Sequence, residues 1–285
     1  MRLRTLALTA ALLAFSFAGC GGDSGSPDRA APPEPTPAAL DPAAPIPRDA
    51  DGLASDLADT RAALWEAIDR WGGAGAVPDD VAVLALRQQR IYRLLGGSRR
   101  LSSRVLRAVP RALRVEARDN VLARRELTRI VSVHRGPPPR IAVGPAEPAD
   151  VLRSYYRRAY RRFHVAPQLL AAVNFVESAF GRLRNRSVSG ARGPMQFMPA
   201  TWRAYGLGGD IADPRDAILG AANYLHANGA SRSELGALLH YNPSRDYASA
   251  VLRYARRIRA DWRAFYAYYA WSVYAGGRRL SGPGR

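Results

Sequence analysis

The stretch AAVNFVESAFG, residues 171–181, sets a single carboxylate, Glu177, in an otherwise almost wholly apolar run. Pro167 suits the first turn of a helix and Gly181 suits its end, so the spacing predicts one buried helix that carries Glu177 in its last turn. Burial away from cations disfavours the charged form of a carboxyl and raises its pKa. A carboxyl that keeps its proton near neutral pH is what protonation of a glycosidic oxygen requires. The competing reading is a glutamate exposed at a helix end, and this helix alone does not choose between them.

The segments that follow supply further polar groups. SVSGARGPMQF holds a glycine-rich turn whose backbone can approach a ligand closely, and Gln196 offers both a donor and an acceptor suited to acetamido groups. A turn-stabilising amide is the alternative role for Gln196. Met198 reads as core filler. Asp210, Asp213 and Asp216 do not have the spacing of an EF-hand loop. Asp213 before Pro214 reads as an N-cap, and Asp216 as first-turn charge, so no metal is expected. SRSELGALLHYN reads as a capping box, Ser231 with Glu234, opening a helix that delivers Tyr241 and Asn242. Glu234 is then a cap and not a second catalytic carboxylate. Asp246 likewise reads as first-turn charge.

Taken in order, these segments resemble the lytic transglycosylase catalytic domain of goose-type lysozyme relatives, in the secreted, lipoprotein style of actinobacteria. The resemblance covers roughly residues 150–260 and implies a mostly α-helical, lysozyme-like domain with a long groove for glycan strands. It implies Glu177 as the catalytic acid and Ser178 as support for the substrate near the reacting sugar. Gly193, Met195 and Gln196 correspond to the Gly-Leu-Met-Gln motif, with Pro194 in place of the leucine. Tyr241 and Asn242 correspond to the Tyr-Asn pair opposite the acid, with His240 where alanine is common. No second carboxylate pairs with Glu177, unlike the two-carboxylate arrangement of ordinary glycosidases. That absence agrees with the reaction the resemblance implies, in which one glutamate acts twice, as acid and then base, forming a 1,6-anhydro-MurNAc end on peptidoglycan without a cofactor. A muramidase-type hydrolase of the same fold and a non-catalytic glycan-binding envelope protein are the alternatives.

Around this domain the chain divides into further segments. MRLR and LALTAALLAFSFA over residues 1–19 read as an export signal, with an apolar run too short to span a bilayer comfortably. The lone cysteine, Cys20, follows two small residues, as a lipidated lipoprotein cysteine does, although Phe17 stands where leucine is usual. Ordinary cleavage after Ala18 is the alternative. The expected location is the cell envelope, lipid-anchored to the outer face of the plasma membrane. Residues 20–50, rich in Pro, Gly, Ala and Asp, read as a disordered tether. Residues 51–134 show helical periodicity with no evident chemistry, punctuated by Gly72-Gly73, Gly96-Gly97 and Pro110, and read as an accessory region. Residues 135–149 are a proline-rich linker. For the aromatic segment 261–285 two readings stand: docking on the domain, which is preferred, or a sugar-stacking or membrane-interface surface.

The net charge is +18, and all 42 basic residues are arginine. Export removes nucleic acid as the intended partner. The anionic groups of the cell wall and membrane are a better match, with RRAYRRFH and GRLRNRS as candidate basic surfaces. Partners in wall remodelling are not identifiable from sequence.

Overall fold

A computed structural model of the chain describes residues 41–131, 141–275 and 278–281. The export signal, Cys20, the tether up to residue 40 and residues 135–140 of the proline-rich linker lie outside the described residues. Eleven helices and one two-stranded antiparallel sheet make up the described part, in agreement with a mostly α fold.

Four helices precede the boundary: α1 (Ala50–Trp71), α2 (Asp79–Gly97), α3 (Arg99–Ala108) and α4 (Arg111–Val131). Their ends follow local chemistry. The Asp49 side chain caps α1 by accepting from the Gly52 N–H, and Gly72 closes the helix in the left-handed region. Ser98 caps α3, and Pro110 separates α3 from α4.

Seven helices follow: α5 (Ala149–Phe163), α6 (Pro167–Ser178), α7 (Pro199–Tyr205), α8 (Pro214–Ala227), α9 (Glu234–Tyr241), α10 (Arg245–Ala260) and α11 (Arg263–Ala270). The strands β1 (Val273–Ala275) and β2 (Arg278–Ser281) end the described chain. Pro167 occupies the first turn of α6, as its fixed φ favours. Asp213 caps α8 as expected. The cap of α9 is Ser233, which accepts from the Gly236 N–H, and not Ser231. Glu234 instead opens the helix and pairs with Arg259 at 2.6 Å.

All eleven helices except α7 contribute buried residues to one continuous core. The α6 helix lies at its centre, against α5, α8, α10 and α11, while α10 also packs on α4. Ion pairs reinforce the α4–α10 seam: the buried Asp119 faces Arg253 (3.3 Å), Arg256 and Arg257 (2.8 Å), and Glu126 faces Arg253 (3.0 Å). The helices before the boundary thus share the core of those after it.

Two expected boundaries shift. The last residues read as tether are held by the fold. Arg90 donates to the carbonyls of Pro42 and Ala44, Arg87 donates to that of Pro45, and Ile46 packs against the core. In the second half of the linker, residues 142–144 pair with the loop after α6: Gly144 N–H donates to Arg182 O (2.9 Å) and Arg184 N–H to Ala142 O (3.0 Å).

The aromatic C-terminal segment docks. Phe265, Tyr268, Tyr269 and Trp271 are buried, and the Phe175 ring of α6 stacks on Tyr268 at 5.2 Å. Gln88 and Gln89 of α2 bond Trp271 and Ser272, fixing the chain as it leaves α11. Among the described residues no helix is long and apolar enough to cross a membrane.

Candidate active site

Glu177 sits one residue before the end of α6 and is 6% exposed. Its Oε1 accepts a hydrogen bond from the Tyr247 hydroxyl at 2.5 Å. Burial pushes the carboxyl up from its ordinary 4.5 to about 8, and the Tyr247 bond only partly offsets this. No charged group among the described residues contributes to that shift. The sequence thus places an isolated, proton-holding acid at the end of a buried helix. The same charge reacts on its neighbours: the buried hydroxyls of Tyr241 and Tyr247 are pushed well above the usual tyrosine range, by burial first and by Glu177 second.

The end of α6 carries an unusual backbone. Ala179, Phe180 and Gly181 take positive φ in succession (50°, 64° and 84°), earlier than the glycine alone would have ended the helix. Two non-glycine residues in this region cost about 1 kcal/mol each, so tertiary contacts must enforce it. Arg182 is one such contact. It is 1% exposed and donates to the carbonyls of Ala179, Tyr269 and Trp271 at 2.8–2.9 Å. Those acceptors belong to the end of α6 and the end of α11, where backbone carbonyls favour a cation. Burial lowers its pKa to about 10, which leaves it charged at neutral pH. Arg182 therefore leaves the basic surface read in GRLRNRS; Arg184 and Arg186 remain exposed.

The Gly-Pro-Met-Gln turn faces the same helix end. Arg192 and Phe197 close it with paired backbone bonds of 2.9 and 2.8 Å. Gly193 has φ +75°, and a Cβ there would stand 1.9 Å from the Ile211 carbonyl oxygen. Two bonds fix the turn's position. The Ser178 hydroxyl donates to Pro194 O (2.5 Å), and the Tyr241 hydroxyl donates to Met195 O (2.6 Å).

These bonds place the expected substrate residues. Ser178 is fully buried, and its oxygen also accepts from the Gly181 N–H at 2.7 Å. It stands behind the site, holding the turn, and does not line the site. Met195 is fully buried, and Tyr241 (4% exposed) and Asn242 (2%) are nearly so. Asn242 Oδ1 accepts from the Ser244 N–H, which shapes the start of α10. The Gln196 amide nitrogen is spent on the carbonyls of Gly193 and Asn185, so its Oε1 is the atom it can offer a ligand. Asp210, Asp213 and Asp216 bond backbone amides, and no metal-binding cluster occurs among the described residues.

Sequence reasoning did not single out Tyr247 or Arg182. Tyr247 lies in the first turn of α10, where nothing local distinguishes it from a core tyrosine; only the packing of α10 on α6 brings its hydroxyl to Glu177. Arg182 is one of 42 identical basic side chains, and its burial has no local signature.

Among protein-family models, the one described as Transglycosylase SLT domain matches residues 154–267. The match starts within α5 and ends within α11, so it spans Glu177, the Gly-Pro-Met-Gln turn, Tyr241, Asn242 and Tyr247 and leaves α1–α4 outside. No solved structure matches the chain.

Proposed function

We propose, from the premise that residues 154–267 form a lytic transglycosylase domain that acts on peptidoglycan, that the chain cleaves the MurNAc-GlcNAc β-1,4 bond and leaves a 1,6-anhydro-MurNAc end. The observation that carries this reading is the isolation of Glu177: a buried carboxyl at about 8, bonded to Tyr247, with no charged partner shifting it.

At neutral pH this carboxyl is mostly protonated. It gives its proton to the glycosidic oxygen as the bond to C1 breaks, and the N-acetyl carbonyl of the substrate stabilises the anomeric centre. The resulting carboxylate, disfavoured by burial, is a far stronger base than an exposed glutamate. It takes the proton of the C6 hydroxyl as O6 attacks C1, which closes the anhydro ring and returns Glu177 to its starting state. Water is not consumed. Tyr247 holds the carboxyl in one orientation through both transfers. The Gly193–Gln196 turn, locked by Ser178 and Tyr241, presents the Gln196 carbonyl to the sugar, and Asn242 belongs to the wall that Tyr241 opens.

The site belongs outside the cytoplasm in this reading, in wall remodelling, with Cys20 lipidated on the outer face of the membrane and the following segment as its tether. The exposed arginines of α5, Arg157, Arg158, Arg161 and Arg162, favour the anionic wall over bulk solvent through screened attraction.

The test is mass spectrometry of peptidoglycan digested by the full chain beside Glu177→Gln. Anhydro-ended fragments from the parent alone are expected. Reducing ends would mean water as the nucleophile and overturn the lyase, while absence of fragments from both would leave a binding protein.

A further inference from the structure

A cavity of about 80 Å³ lies beside the C-terminal turn of α6, between α2, α4, α10 and the start of β1. Phe175, Val176 and Ala179 contribute from α6 itself, and Leu183 from the loop that follows it. Most of its walls are apolar or aromatic. Its two charged groups are both cations, Arg93 of α2 and Arg124 of α4.

Neither guanidinium has a hydrogen-bond acceptor or a carboxylate partner among the described residues. Arg93 lies over the Tyr274 ring at 4.0 Å. Arg124 packs its stem on Gly96, where a Cβ would meet its Cγ at 2.6 Å. Burial and the charge of Arg124 lower Arg93 to about 10; burial also lowers Arg124. Nearby carboxylates are already engaged, Glu116 with Arg61 and Glu126 with Arg253. The Tyr92 hydroxyl on the same wall is buried without a hydrogen bond of normal geometry. Two half-buried like charges with no counter-ion are a costly arrangement unless an anion joins them.

We propose that this cavity binds a carboxylate of the peptidoglycan stem peptide, with Arg93 and Arg124 as its ligands. The proposal rests on the peptidoglycan reading above. The volume holds several water molecules, enough for a carboxyl and a short aliphatic stub but not for a disaccharide. Phe175, Val176, Leu127 and Trp271 offer apolar contact to a peptide's aliphatic body, which a free phosphate lacks. Val176 and Ala179 bracket Glu177 in sequence, so a peptide seated here lies against the turn that carries the acid. Arg93 and Arg124 both lie outside residues 154–267, so this anion site is an addition made by the preceding helices.

Calorimetric titration of the full chain in detergent, with a free stem tetrapeptide, its fully amidated form and inorganic phosphate, tests this. The free acid is expected to bind, with amidation or the double substitution Arg93→Gln/Arg124→Gln weakening it about tenfold or more, as lost charge-assisted bonds would. Should the double variant not fold, as judged by its thermal transition, Arg93→Gln alone must still weaken binding severalfold. Equal affinity for acid and amide, unchanged affinity in the variants, or phosphate bound more tightly than the peptide would overturn the proposal. Cleavage of peptide-free glycan strands by the parent protein, measured alongside, reports the catalytic reading separately.

Discussion

The two hydrogen-bonded side chains at the centre of the candidate site, Glu177 and Tyr247, are both pushed above their ordinary ranges because the fold keeps water from them. For Glu177 this has a consequence for stability. In the unfolded chain the carboxyl loses its proton near 4.5, whereas in the fold it holds it to about 8. Between those values the unfolded state binds fewer protons, so stability is full below pH 4.5 and falls as pH rises toward 8. Glu177→Gln removes the titration and can still accept from Tyr247. Its melting temperature is expected to match the parent at pH 4 and to exceed it increasingly at pH 6 and 8. Calorimetry at the three values checks this, and a gap independent of pH would refute the buried, proton-holding state. At this scale the sequence was partly legible. An acid in an apolar helix is a local pattern, but its hydroxyl partner, 70 residues away, is not.

At the scale of elements, the turn 192–197 and the end of α6 act as one unit, joined by Ser178. Gly193→Ala would put a methyl group on the Ile211 carbonyl in a backbone conformation unsuited to alanine. A loss of about 3 kcal/mol or more is expected, together with loss of lysis. Gly190→Ala makes the comparison: its φ is +89°, but nothing lies within 4 Å, so a cost of about 1 kcal/mol is expected. Denaturant unfolding of the two variants would show it, and equal costs would mean that the close approach to Ile211 does not matter. The glycine-rich turn, the Asp213 cap and the first turn of α6 were readable because each depends on residues a few positions apart. The α9 cap was misplaced by two residues because two serines there had plausible spacing and only geometry chose Ser233.

Over the whole molecule, the helices before residue 132 and the aromatic segment after 260 complete the core around α6, the helix that carries Glu177. Phe175 stacks on Tyr268, Arg182 ties α6 to α11, and Asp119 with Glu126 binds α4 to α10. Residues 150–260 expressed alone are therefore expected to lack a cooperative unfolding transition and a near-UV dichroism signal. A fragment melting as sharply as the full chain would show that the flanking helices are dispensable. The same packing explains why the pre-boundary helices looked inert in sequence. Their polar residues at exposed spacings carry no motif, and the cavity between Arg93 and Arg124 exists only once α2 and α4 meet α6 and β1.

The sequence by itself determined the helical class, the Asp213 cap, the glycine-rich turn and the presence of one acid among apolar neighbours, since all of these follow from side chains a turn or two apart. The tertiary structure alone decided that Ser178 supports the turn from behind, that Tyr247 reaches the acid, and that Arg182 is buried under α11. It also decided that two arginines face a common cavity without a counter-ion among the described residues. Each of these depends on burial and on contacts between segments distant along the chain, and neither composition nor spacing encodes them.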